Sequence, residues 1–177
     1  MRFTLELKGE RAHTARPWMG RNAIHRLHHV LSAIENHECR NPIVEGCQYR
    51  EALQVVKVEG GIAGNVVPDS STLTINHRVA PDRNLATAEK EIRDFLAPFM
   101  ESEDRLLLVD SAPPARPGLD NPMLASMIEK HQLDVEAKLG WTDVAFFDQR
   151  GIPAVNFGPG DATLAHSSNE QIERSSI

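Results

Sequence analysis

The chain has 177 residues, is 41% hydrophobic and 25% charged, and carries a formal net charge of −6. That length suits one large domain, or one small domain plus part of another, and no apolar run approaches the ~20 residues needed to span a bilayer. The negative balance, without a basic stripe interleaved with aromatics, excludes nucleic acid as the expected partner.

Met1 to Glu6 enters alternation at once, without the basic segment and apolar core of a secretory leader, so the cytoplasm is the expected location. Phe3, Leu5 and Leu7 alternate with polar residues, which predicts a half-buried strand closed by Gly9. The stretch from Gly9 to Ile24 is longer than a tight turn requires and carries His13, Arg11, Arg16, Arg21 and Trp18 between glycines, a loop suited to presenting side chains. Asn22 caps a predicted helix to about Asn36, with Ala23, Ile24, Leu27, Val30, Leu31 and Ile34 on one stripe. His25, His28 and His29 on this helix include an i,i+4 pair, but no acid or third ligand lies near in sequence, so they read as a solvated face.

Residues 38 to 50 read as a loop holding both cysteines, Cys39 and Cys47, whose spacing fits neither a disulfide scaffold nor a C-x-x-C site; both are expected to be free thiols. Leu53, Val55, Val56 and Val58 predict a strand broken by the glycines at 60, 61 and 64. A further strand over residues 70 to 79 places Leu73, Ile75, His77 and Val79 on one face, and Pro81 and Asp82 end it. Leu85, Ala88, Ile92, Phe95, Leu96 and Phe99 trace a second helix, and Arg105 to Asp110 a short buried strand. This β-α-β-β-α-β order predicts an α+β, ferredoxin-like sandwich with both helices on one sheet face. Its exposed edge strand or helix predicts a two-fold homodimer.

The run Ser111 to Gly118 has a linker's composition, which divides the chain into residues 1–112 and 113–177. Beyond it, Asn121 and Pro122 open a helix to about Lys130, Asp134 to Lys138 reads as a strand, Gly140 to Asp143 leads a short helix ended by Gly151, and Ile152 to Phe157 reads as a last strand. Two strands do not close a parallel sheet, so this α-β-α-β piece reads as an incomplete α/β segment.

Five motifs, Gly9-x-x-Ala12-His13-Thr14-Ala15-Arg16-Pro17, Gly64-Asn65-Val66-Val67-Pro68, Asn76-x-Arg78, Gly140-Trp141-Thr142-Asp143, and Phe157-Gly158-Pro159-Gly160 followed by Ala165-His166, occur in this order. Together they resemble the dinuclear zinc peptidase and aminoacylase family, over about residues 2 to 172. The resemblance implies that residues 1–112 form a lid and dimerisation domain and residues 113–177 the later part of a catalytic domain. The family's first catalytic half, with most of its zinc ligands and its general base, has no counterpart here. It further implies hydrolysis of a small N-acyl amino acid by two zinc ions that polarise the carbonyl and activate water.

By the same resemblance His166 is a metal ligand, and His13 reaches into the partner subunit's active site to donate a hydrogen bond to the tetrahedral oxyanion. Asn65 and Arg78 hold substrate carboxylates, for which a guanidinium is shaped. Gly140 and Thr142 belong to a substrate loop. Ala12 replaces a frequent glycine, and Trp141 and Asp143 depart from a pattern that often reads Gly-Gly-Thr-Ser. With one histidine ligand the chain alone is expected to be inactive. Two other readings remain open at this point: another N-acyl amino acid deacylase or dipeptidase, and a stand-alone dimerisation or binding module.

Overall fold

A computed structural model describes residues 1–161, 164–165 and 167–176. In chain order the elements are β1 (Arg2–Lys8), β2 (Ala12–His13), α1 (Ala23–Glu35), β3 (Ile43–Val44), β4 (Cys47–Gln48), β5 (Ala52–Gly60), β6 (Val66–Val67), β7 (Ser70–Arg78), α2 (Leu85–Leu96), β8 (Arg105–Asp110), α3 (Pro122–His131) and α4 (Val144–Asp148). The four long strands form one antiparallel sheet in the order β5-β7-β1-β8. This is the ferredoxin-like arrangement that the element order predicts.

Alternation builds the core. Phe3, Leu5 and Leu7 of β1 and Leu73 and Ile75 of β7 are fully buried and meet Leu27, Val30 and Ile34 of α1 and Ile92 and Leu96 of α2. Both helices therefore cover the same sheet face, and Thr4, Glu6, Thr72 and Thr74 lie on the other, half-buried. The three longest helices start where the sequence places a cap: Asn22, Asn84 and Asn121 each accept backbone amides of the first turn, and Pro122 sits in the first turn of α3. Each such cap contributes about 1 kcal/mol.

Three expectations need correction. Asp134 to Lys138 and Ile152 to Phe157 are not strands: no ladder among the described residues includes them, because a strand exists only against a partner edge and no described strand lies alongside. Arg105 to Asp110 does form β8, but not a buried strand; it is the sheet's edge, with one neighbour, and Leu107 and Val109 are about half exposed. Within the predicted loop 38–50, β3 and β4 form a hairpin whose two turn residues, Glu45 and Gly46, have φ of 49° and 82°. Positive φ at both central positions matches the twist of paired strands. This hairpin, with Cys47, Tyr49 and Ala80, packs against Leu119 and Ala137 and so connects the second segment to the first. Both cysteines are free, and no described helix is long and apolar enough to cross a membrane.

The end of β1 is locked by Asp104, whose side chain is fully buried. Its carboxylate accepts the amides of Lys8 (2.8 Å) and Glu101 (2.7 Å) and both terminal nitrogens of Arg26 (2.8 and 2.6 Å). Burial alone pushes such a carboxyl up, but the Arg26 pair and the two amides outweigh it and hold Asp104 below the usual carboxylate range. Asp104→Ala removes the bidentate partner of Arg26, leaving it the Lys8 carbonyl (2.6 Å) and Glu101 (3.4 Å), and is expected to lower stability by about 3 kcal/mol, read from the urea midpoint. In the wild type this contribution is present above the ordinary carboxylate pKa and is lost as pH falls through the depressed one.

Candidate active site

The loop between β1 and α1 is a fixed platform. Glu10 and Arg21 exchange both backbone hydrogen bonds (2.8 and 3.0 Å), closing its base. Gly9 and Gly20 permit this closure, since a Cβ would stand 2.1 Å from the Arg21 carbonyl oxygen in the first case and 2.5 Å from that of Glu10 in the second. Inside the loop β2 pairs with β6, setting His13 opposite Val66, and Thr14 donates its amide to the Asn65 carbonyl at 3.0 Å. His13 and Asn65, separated by more than fifty residues in sequence, are thus brought together.

The Ala15 amide donates to His13 Nδ1 at 3.0 Å. An amide can only donate, so Nδ1 is the acceptor and the neutral ring carries its proton on Nε2. The exposed side of the imidazole is therefore a hydrogen-bond donor, as an oxyanion-binding group must be. Four residues further along, a short 3-10 turn at Pro17–Met19 leaves Trp18 and Met19 largely exposed beside it.

Arg78 lies elsewhere. It closes β7, whose nine residues rise ~3.4 Å each, so that about 27 Å separates it from the end of the sheet carrying His13 and Asn65. Arg78, Gly140 and Thr142 line one cleft of about 1450 Å³ between the sheet and the second segment, with Asn156 and Gly158 on the same wall. The sequence-predicted residues thus fall into two groups, and His13 and Asn65 are not on the cleft wall. Trp141, one departure from the resemblance, packs edge-on against Phe146 with ring centroids 5.3 Å apart.

His166 lies outside the described residues. Among those described, no three His, Cys, Asp or Glu side chains converge as a metal site, so they do not by themselves fit a zinc pair. His25, His28 and His29 are exposed on α1, as their reading as a solvated face expects.

Three further residues of the cleft wall were not singled out in the sequence. Arg50 and Arg116 line it beside Arg78, and His77 is buried behind them. His77 stands 3.9 Å from Glu51, whose carboxylate serves Arg83 (2.8 Å), Arg40 (3.4 Å) and the Ala80 amide (3.0 Å). With Glu51 so engaged, burial followed by the Arg83 charge dominates and lowers the His77 pKa to about 4. Its Nδ1 has no hydrogen-bond partner. Alternation places His77 on the core face of β7, but the charges around it come from distant segments and give no local signal.

An antiparallel sheet backed on one face by two helices is the architecture of a peptidase dimerisation domain. Residues 1–103 match the peptidase dimerisation domain, and the chain belongs to that family. Over 97% of its length it is 45% identical to a Mycobacterium tuberculosis protein named provisionally as a succinyl-diaminopimelate desuccinylase, DapE, covering 48% of that protein. It is also 37% identical over 97% of its length to the succinyl-diaminopimelate desuccinylase of Corynebacterium glutamicum, covering 47% of it. The chain spans about half the length of the curated relatives it matches. A tripeptidase from Staphylococcus aureus shares the fold at 17% identity, with a TM-score of 0.63, over 86% of this chain and 41% of that one.

Acid is expected to act on this wall through His77. Its folded pKa lies below the 6.5 of a free imidazole, so the unfolded chain binds the extra proton first, and stability falls as pH drops from about 6.5 towards 4. The loss reaches about 3 kcal/mol. His77→Gln is expected to flatten this part of the pH–stability curve in chemical denaturation.

Proposed function

We propose that this chain is the lid and later catalytic segment of a zinc-dependent hydrolase that splits N-succinyl-LL-2,6-diaminopimelate into succinate and diaminopimelate, a cytoplasmic step of lysine and peptidoglycan synthesis. The names of the relatives matched over nearly the whole chain support this reading. His166 is assigned as one metal ligand; the other ligands and the general base are assigned to the half of the relatives that this chain does not span. The chain alone is accordingly expected to hydrolyse nothing.

The observation that carries the reading is the separation of the two residue groups. About 27 Å of strand keeps His13 from the cleft of its own copy, so a donor on that loop can serve chemistry only in a second copy. A homodimer is therefore assigned, joined along the β5 edge and α1, where Val56, Val58, Ile24 and Leu31 are exposed and the nine-residue strand β5 has its outer edge open. Asn65 reaches the neighbouring cleft with His13, whereas Arg78, Gly140 and Thr142 act in their own. Because Trp141 and Asp143 depart from the family pattern in the substrate loop, a related N-acyl amino acid deacylase is the second reading; turnover of succinylated against acetylated substrate separates the two.

In the full-length enzyme, His13→Ala is expected to lower kcat by about 100- to 1000-fold, the effect of losing one oxyanion donor. Mixing His13→Ala and Arg78→Ala enzymes with subunit exchange should restore about a quarter of wild-type activity: half the dimers are mixed, and each has one intact site. No recovery would show that both residues act within one copy. Val56→Lys is expected to shift the dimer towards monomer in light scattering, with the monomer inactive.

A further inference from the structure

We infer that the cleft is built for a substrate with two or three carboxylates, anchored by Arg50 and Arg116 as well as Arg78. The inference rests on reading this cleft as the substrate site and extends it to residues to which neither the sequence motifs nor the relatives assign a role. Most other arginines of the lid are paired with carboxylates, among them Arg26 with Asp104, Arg40 with Asp82, Arg83 with Glu51 and Glu91, and Arg93 with Glu89, whereas Arg16 and Arg105 are exposed and lie outside the cleft. Arg50, Arg78 and Arg116 have no carboxylate partner among the described residues, yet all three line the same cavity in a chain of net charge −6. Acidic groups also stand on that wall, but Asp161 and Glu170 are engaged with other groups, and neither Asp134 nor Glu136 pairs with an arginine.

Arg78 lies directly opposite Ala52 in the β5–β7 ladder, and Arg50 stands two residues ahead of Ala52, in the connection that enters β5. Arg116 comes from the proline-rich connection, where its own amide is held by the Asp148 carboxylate at 3.2 Å. Three uncompensated guanidiniums around one cavity repel each other, and a carboxylate accepts two parallel N–H bonds from each. An anion whose carboxylates are spread along a flexible backbone removes that repulsion at several points, which a monocarboxylate cannot.

The test is calorimetric titration of the 177-residue chain at low salt with propionate, glutarate and tricarballylate, carrying one, two and three carboxylates. Affinity is expected to rise along that series. Arg50→Gln and Arg116→Gln should each weaken tricarballylate about ten-fold, the loss of one charge-assisted pair, with thermal melts unchanged. Arg105→Gln, an exposed β8 arginine outside the cleft, should have no effect. Absence of tricarballylate binding, wild-type affinity in both cleft variants, or an equal loss in Arg105→Gln would overturn the inference. Hydrolysis does not enter this readout, so a full-length enzyme that prefers acetylated substrates overturns the desuccinylase reading and leaves the anchors standing.

Discussion

One strand sets the working distance of the molecule. β7 carries the Asn65 turn just before its first residue and Arg78 as its last, and its extended backbone cannot be shortened without breaking ladders to β1 and β5. Side chains at the two ends can therefore never meet on one small molecule within one copy. In the proposed two-fold dimer this becomes a division of labour: each sheet is a spacer with its own cleft at one end and a donor loop for its neighbour at the other.

Each end of that spacer is secured in the same way. At the His13 end, Asp104 gathers two backbone amides and Arg26, while its neighbour Glu101 pairs with Arg21 at the base of the histidine loop. At the Arg78 end, Glu51 gathers the Ala80 amide, Arg83 and Arg40, tying together the hairpin, the end of β7 and α2. In both places a buried carboxylate is satisfied by several donors from separate segments, the condition under which a buried charge rigidifies rather than destabilises. The difference lies in the third component. Only the Glu51 cluster buries an imidazole, so acid acts on the cleft end through His77.

The sheet and its helices were legible in the sequence because their signals are local and periodic. Phe3, Leu5 and Leu7 alternate, Asn22 and Asn121 precede their helices as caps, and the element order admits few topologies. The second segment was read less well for a matching reason. Val135, Val155 and their neighbours have strand composition, but composition cannot supply the partner edge that makes a strand. The β3–β4 hairpin was missed because its turn uses Glu45 at positive φ, a residue type that rarely signals one. For the candidate site, the motifs singled out His13, Asn65, Arg78, Gly140 and Thr142, but their division into two groups follows from strand length and ladder register, which appear only with the fold. Arg50 and Arg116 carry no motif at all; one follows a hairpin and the other lies among prolines, and only the shared cavity relates them.

The distribution of charge gives the division a further consequence. A net negative protein repels anions at long range, so an acidic substrate gains nothing from the overall field and must be attracted by local positive potential. Pairing most of the lid's other arginines with carboxylates removes competing sites over much of its surface, while Arg50, Arg78 and Arg116 stay unpaired around one cavity, where their positive potentials add. The His13 loop, by contrast, presents an imidazole N–H donor beside exposed Trp18 and Met19. Within one copy, cleft charge and donor group thus stand a strand's length apart, and the proposed dimer is what would set the one against the other.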